Sequence, residues 1–196
     1  MRKINGLSVI MPCYNAGSYL EEAVESVLAQ DFDLAPYELI IVDDKSNDPA
    51  TLEILDRYAD YGPPVRVIRQ DDNDKKGPSA ARNKGIQNAR YSHIVPVDAD
   101  DKLVTGNPDG GYLHQVYRQF RDEPDTDIVY SKLRLTGALE APFHVAPYQE
   151  RLMLITNLLH VFGAFPKQLA DDMGGYDEDV WGTEDYLFWV SMINHV

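Results

Sequence analysis

Asp98-Ala99-Asp100-Asp101 places carboxylates at positions i and i+2. In extended chain those two positions face the same way. Like charges held side by side at a strand end are costly unless a cation neutralises them or one of them takes a proton. Hard oxygen ligands in this number suit Mg²⁺ or Mn²⁺, which keep some water and accept further ligands from a substrate's phosphates. Taken alone, the same aspartates also fit a solvated turn that caps a helix. A second pair, Asp43-Asp44, closes the apolar run from Glu38 to Val42. One carboxylate there can accept hydrogen bonds from a base or ribose while the other caps the loop, or both can serve the turn alone. The third pair, Glu184-Asp185, follows Trp181-Gly182-Thr183. Acids in the first turn of a helix favour its dipole, which is a sufficient structural reason for them. The functional reading makes one of them a base at the mouth of a crevice, flanked by Trp181 and Tyr186 for stacking on a sugar face. The run Gly77-Pro78-Ser79-Ala80-Ala81-Arg82-Asn83 opens a helix with small residues that permit close backbone approach, and Arg82 is able to pair with phosphate. Lys75 and Lys76 sit in a loop acidic from Asp71 to Asp74 and read as solvated.

These clusters need elements that bring them together. Leu7 to Met11, Leu39 to Val42, Val65 to Ile68 and His93 to Val97 read as strands, nearly all apolar, as expected where both sheet faces are covered. Between them run helical stripes: Leu20, Ala23, Val24, Val27 and Leu28 after a Ser18/Glu21 capping box, then Leu52, Leu55, Tyr58 and Ala59 after Asp48-Pro49, then Gly77-Pro78 to about Ala89. This β-α-β-α-β-α-β order predicts an open parallel α/β sheet. Pro96 has no N–H for a ladder, so its strand is expected to be irregular there. Parallel topology sends Tyr14, Asp43-Asp44 and Asp98-Asp100 to one edge, the carboxyl ends, where open α/β sheets bind ligands. Further on, Leu113, Val116, Tyr117 and Phe120 form a helix face. Asp127 to Tyr130 begins a strand, Leu152, Ile155 and Leu159 mark another helix, and a last helix starts near Glu184.

The chain has 196 residues, 18 Lys plus Arg and 32 Asp plus Glu, for a formal charge of −14. That field repels a phosphate polyanion, so nucleic acid is excluded as a natural partner, and so is an acidic membrane surface. One cysteine, Cys13, permits no internal disulfide, and no apolar run reaches the roughly 20 residues of a membrane span. The expectation is a cytoplasmic protein, at the inner membrane face only through other parts or partners. The final helix runs to Val196 without a stop signal, which points to a chain cut from a longer one.

Five segments, Ser8-Val9-Ile10-Met11-Pro12-Cys13-Tyr14-Asn15, Val42-Asp43-Asp44-Lys45-Ser46, Ser79-Ala80-Ala81-Arg82-Asn83, Val97-Asp98-Ala99-Asp100-Asp101 and Gly182-Thr183-Glu184-Asp185, resemble in content and order the family 2 glycosyltransferases. The resemblance implies a GT-A fold, Rossmann-like and mostly parallel. It implies one domain, with a nucleotide-sugar half over about 1–101 and an acceptor half over about 102–196. The implied reaction moves a sugar from a nucleotide-diphosphate donor, usually UDP-linked, to an acceptor hydroxyl with inversion, in bacterial polysaccharide or glycan synthesis. Carried over by motif, Pro12, Tyr14 and Asn15 line the nucleotide pocket, and Asp44 with Asp43 reads the uracil. Asp98 contacts the ribose, Asp100 with Asp98 holds Mn²⁺ or Mg²⁺, and Arg82 lies near the nucleotide. Asp185 is the catalytic base, with Glu184 contacting the acceptor, a glycan or lipid-linked molecule, or positioning the base; Trp181, outside the motif, is read as an acceptor-binding ring from its residue type alone. Cys13 and Lys45 carry no implied role. A nucleotide-sugar-binding module without turnover is the alternative. A receiver domain also ends a strand in Asp-Asp, but its acidic pair follows the first strand. A sugar nucleotidyltransferase would need a Gly-rich basic loop after the first strand, and none is present.

Overall fold

The computed structural model describes residues 3–107, 110–136, 140–143, 149, 153, 157, 159 and 163–195. The first half follows the expected alternation: β1 (Leu7–Cys13), α1 (Tyr19–Leu28), β2 (Tyr37–Asp43), α2 (Pro49–Ala59), β3 (Val65–Arg69), α3 (Pro78–Asn88) and β4 (His93–Pro96). The second half contributes α4 (Tyr112–Asp122), β5 (Leu133–Leu135), β6 (Ala141–Phe143), β7 (Phe165–Pro166), α5 (Lys167–Met173) and α6 (Glu184–His195).

The main sheet has the order β3-β2-β1-β4-β7. Its first four strands are parallel, and β7 adds an antiparallel edge by pairing Phe165 with Ile94 and Pro166 with His93. Because the chain leaves β3 and crosses to the far side of β1, the strand order reverses between β1 and β4. Such a switch point opens a crevice at the carboxyl ends. Alternation along β1 divides the core: Val9 and Met11 face α1, α2 and α4, while Ile10 faces α3, α5 and α6. Gly85 is what lets α3 lie so close, since a Cβ there would stand 2.4 Å from Ile10 Cγ2.

Several local expectations are corrected. Ser18 is itself helical in φ and ψ and makes no side-chain cap to α1, so the Ser18/Glu21 box does not form. Asp48, by contrast, accepts from Thr51 N–H at 2.8 Å and caps α2. Ala59 is exposed and Ile54 takes its place on the buried face. Pro96 is in register with Ile10 without irregularity. The Val97 N–H donates to Ile10 O at 2.9 Å, so the donor that Pro96 lacks would have faced β7, which ends at the level of Ile94. Asp127 to Tyr130 yields an isolated bridge, Val129 to Ala164, in place of a strand. The helix expected over Leu152, Ile155 and Leu159 lies largely outside the described residues; Leu159 is buried. Among the described residues no helix is long and apolar enough to cross a membrane.

Candidate functional site

A cleft of about 850 Å³ opens at the carboxyl ends of β1, β2 and β4. Pro12, Tyr14, Asn15, Asp44, Arg82, Asp98, Asp100, Trp181 and Glu184 line it; Asp43 and Asp185 are not among the lining residues. Segments as distant as Pro12 and Glu184 therefore line one cleft.

At the end of β1, Pro12 extends beyond the last paired residue of β4. Tyr14 stands 55% exposed on the rim, its ring free for stacking. Asn15 takes a left-handed backbone, φ 49°. Its side-chain oxygen accepts from the Asn47 and Asp48 N–H groups at 2.8 and 2.9 Å, and its Nδ2 donates to Asn47 Oδ1 at 2.9 Å. Asn15 thus clasps the β2–α2 loop with its amide and meets the cleft otherwise. Burial, together with the charge of Asp43, pushes the Cys13 thiol up to about 12, which keeps it protonated and unreactive.

At the end of β2 the two aspartates divide. Asp43 is buried and its Oδ1 accepts from Ser46 N–H at 3.0 Å, so it holds the loop. Asp44 Oδ2 accepts from Gly77 N–H at 2.8 Å, while Asp44 Oδ1 is buried with no partner and belongs to the cleft wall. Burial raises the Asp44 pKa, an effect the Gly77 N–H bond and the nearby Lys45 and Lys76 partly offset. An unpaired buried acceptor is expensive, and an N–H donor entering the cleft would relieve it. Gly77 adopts φ +112°, and a Cβ on it would come within 3.0 Å of the Trp181 ring. Trp181 is 67% exposed and covers this glycine at the cleft edge.

At the end of β4, Asp98, Asp100 and Asp101 offer carboxylate oxygens within 4.8 Å of one another. Burial and the neighbouring Asp98 and Asp100 charges push Asp101 up to about 6. Burial also raises Asp98, against the pull of Arg82. Three carboxylates this close, two of them raised by burial, fit a hard divalent cation, which would favour their charged forms.

Arg82 closes the cleft from α3. It is 4% exposed, donates from Nη2 to Asp98 Oδ1 at 2.8 Å and from Nη1 to Glu184 Oε1 at 3.3 Å, and lies 5.5 Å from the Tyr176 ring centroid. Burial works against its charge, but Asp98, Tyr176 and Glu184 together outweigh it and raise the Arg82 pKa. Committed to two carboxylates, Arg82 is not the free phosphate partner that its sequence context offered. Glu184 Oε2 is buried without a partner. Asp185 Oδ2 accepts from the Asn157 amide at 2.8 Å. Tyr186 does not flank the site, because its hydroxyl donates to Met153 O at 2.7 Å and its ring packs on the core.

Sequence reasoning missed several contributors. Lys75 does pair at the surface, with Asp179 at 3.0 Å, whereas Lys76 lines the cleft. Asn83 accepts from Tyr176 N–H at 2.8 Å and donates to Tyr176 O at 2.9 Å, fastening the turn ahead of α6 to α3. Its place one residue after Arg82 was the available signal. Nothing local marked Asn157, 28 residues from its partner.

The family model described as Glycosyl transferase family 2 matches residues 8–138. Over 188 residues the chain is 34% identical to the poly(ribitol-phosphate) beta-N-acetylglucosaminyltransferase TarS of Staphylococcus aureus, covering 92% of this chain and 31% of that protein. Over 195 residues it is 33% identical to the uncharacterized protein y4gI of Sinorhizobium fredii, covering 97% of this chain and 20% of that one. The chain therefore spans between a fifth and a third of these relatives' length. The crystal structure of S. aureus TarS 1-349 in complex with UDP-GlcNAc superposes with a TM-score of 0.73 at 24% identity, over 98% of this chain and 53% of that one. The mannosyltransferase PcManGT from Pyrobaculum calidifontis, in complex with GDP-Man and Mn²⁺, gives 0.67 at 20% identity, over 98% and 52%.

Proposed function

Because the chain belongs to glycosyltransferase family 2 and has its GT-A fold, we propose that it forms the catalytic domain of an inverting, metal-dependent glycosyltransferase. The donor is a nucleotide-diphosphate sugar, UDP-linked by the chemistry of Asp44, and the acceptor is a hydroxyl of a glycan or lipid-linked molecule in bacterial polysaccharide synthesis. Residues 1–101 serve the donor and 102–196 the acceptor within one domain. The observation that carries this reading is the convergence of Asp44, the Asp98/Asp100 pair and Glu184 on one cleft at the sheet's switch point.

Asp44 Oδ1, buried and unpaired, suits the imide N–H of uracil, with Tyr14 stacking on the base. Asp43 supports that role through the loop. Asp98 and Asp100, with Asp101 beside them, would hold Mn²⁺ or Mg²⁺, which when bound stabilises the charge of the departing diphosphate. Trp181 offers its face to the acceptor sugar. Asp185 takes the proton of the acceptor hydroxyl as that oxygen bonds to the anomeric carbon and the bond to the nucleotide diphosphate breaks on the opposite face. A single displacement of this kind needs one such base. Glu184 is tied to the Arg82 guanidinium, whereas Asp185 meets only a neutral amide, so Asp185 is the carboxylate of the two not engaged by a cationic side chain. UDP and UDP-GlcNAc, titrated with and without Mn²⁺ in a thermal-shift assay, should raise the melting temperature mainly with metal. No stabilisation by any nucleotide sugar overturns the reading. Stabilisation without hydrolysis or transfer leaves a binding module instead.

A further inference from the structure

Arg82 bridges the cleft from the β4 end to the start of α6, joining residues 16 and 102 positions away. Its two ion pairs are unequal. The Asp98 pair is short, at 2.8 Å, and the Glu184 pair is long, at 3.3 Å, made by a single Glu184 oxygen. The other oxygen, Glu184 Oε2, is buried with nothing to accept. The Glu184 arrangement is thus half of a two-pronged guanidinium–carboxylate pair, and the prong that would complete it, Nη2, is occupied by Asp98. Bidentate pairing is the stronger geometry. The guanidinium is held in place by burial and by the Tyr176 ring at 5.5 Å, and Tyr176 is itself stacked on Phe188 at 3.8 Å between centroids.

Resting on the reading of this cleft as a nucleotide-sugar site, we propose that Arg82 is a positioning residue that yields Asp98 to the divalent cation and then pairs Nη1 and Nη2 with both oxygens of Glu184. Cation binding at the donor side thereby fixes Glu184, and with it the start of α6 that carries Asp185. The donor set favours this exchange. Asp98 is the carboxylate that Arg82 and the cation share, and a divalent ion outcompetes a single positive charge for a cluster that also contains Asp100 and Asp101. The same geometry makes Arg82 an electrostatic competitor of the ion. A unit charge held 2.8 Å from a carboxylate oxygen that the ion would share opposes the ion's binding on the order of tenfold, even at the dielectric constant of water.

The test uses Arg82→Gln, Arg82→Lys and Glu184→Gln, with Mn²⁺ alone titrated by electron paramagnetic resonance at low salt and UDP release measured from UDP-GlcNAc. Arg82→Gln should bind Mn²⁺ roughly tenfold more tightly than the parent while kcat falls at least tenfold and the donor KM moves less than threefold. Arg82→Lys keeps the charge but not the fork, so its Mn²⁺ affinity should stay within threefold of the parent while kcat still falls. Combined with Glu184→Gln, the Arg82→Lys defect should not deepen, because both changes break one link. Tighter binding in Arg82→Gln reports the charge beside the cation site, whereas a kcat loss in Arg82→Lys at unchanged Mn²⁺ affinity, not deepened by Glu184→Gln, reports the positioning of Glu184. Should Arg82→Gln fail to fold, the Arg82→Lys kcat and the double variant decide. Unchanged or weaker Mn²⁺ binding in Arg82→Gln, kcat within twofold of the parent in Arg82→Lys, or additive defects in the double variant overturn the proposal. A parent that neither binds Mn²⁺ nor releases UDP overturns the underlying reading of the cleft, and this proposal with it.

Discussion

At the amino ends of the strands, Glu38 is 3% exposed and fully engaged. Its Oε1 accepts from Ser8 Oγ at 2.9 Å and from Arg90 N–H at 2.7 Å, and its Oε2 accepts from Arg66 Nη1 at 2.8 Å. At the carboxyl ends of the same strands, buried polar groups are left short: Asp44 Oδ1, Arg82 Nε and Glu184 Oε2 have no partner, and nor does the nearby Tyr176 hydroxyl. Both networks bury charge against one sheet. A buried group without a partner costs folding free energy, so the first network reads as joinery and the second as a site whose missing partners arrive with ligand. On the proposed function, one edge of the sheet serves stability and the other serves binding.

Three experiments sharpen or break that contrast. The largest effect belongs to the residue beside the cleft-lining Glu184: Asp185→Asn should cut turnover roughly 10²- to 10⁴-fold while UDP binding stays intact. Unchanged turnover would remove the base assignment and leave the carboxyl edge without its chemistry. Next, Glu38→Gln should cost about 2–3 kcal/mol in a urea unfolding titration, a breakage penalty discounted for the half-open side of Arg66. Its kcat per folded molecule should match the parent's, and a specific loss of kcat would show that the two edges are not separable. The smallest effect is at Asp44. Asp44→Asn can still accept from Gly77 N–H but places an amide NH₂ where the free oxygen was, so calorimetry should find UDP bound about tenfold more weakly. Its unfolding free energy should not fall, since a desolvated charge has been removed. A loss of stability with UDP affinity intact would move Asp44 into the company of Glu38.

Much of the amino-terminal half was legible because its signals are local. Short β-branched apolar runs such as Leu39-Ile40-Ile41-Val42 read as strands covered on both faces, and Asp48-Pro49 is a helix start whose cap forms as expected. Ser18 shows the limit of such signals. The same local code predicted a cap, but Ser18 itself turned helical and Gly17 N–H went to Thr51 Oγ1 at 2.8 Å instead. The antiparallel β7 was not legible, because two residues, Phe165-Pro166, carry no period. Within the site, residue types pointed to the acidic clusters but not to their duties. Asp43 and Asp44 are adjacent and chemically identical, yet one ties a loop and the other faces the cleft.

By itself, the sequence determined the order of elements, the parallel sheet and the gathering of acids at its carboxyl edge, since these follow from periodicity and from the direction of βαβ crossovers. Only the tertiary structure decided that Arg82 belongs to Asp98 and Glu184 in place of a phosphate, and that Asp44 keeps one oxygen unpaired. Those outcomes depend on distance and burial between residues up to 102 positions apart. The strength of an electrostatic contact is set by separation and local dielectric, neither of which is written in the order of the residues.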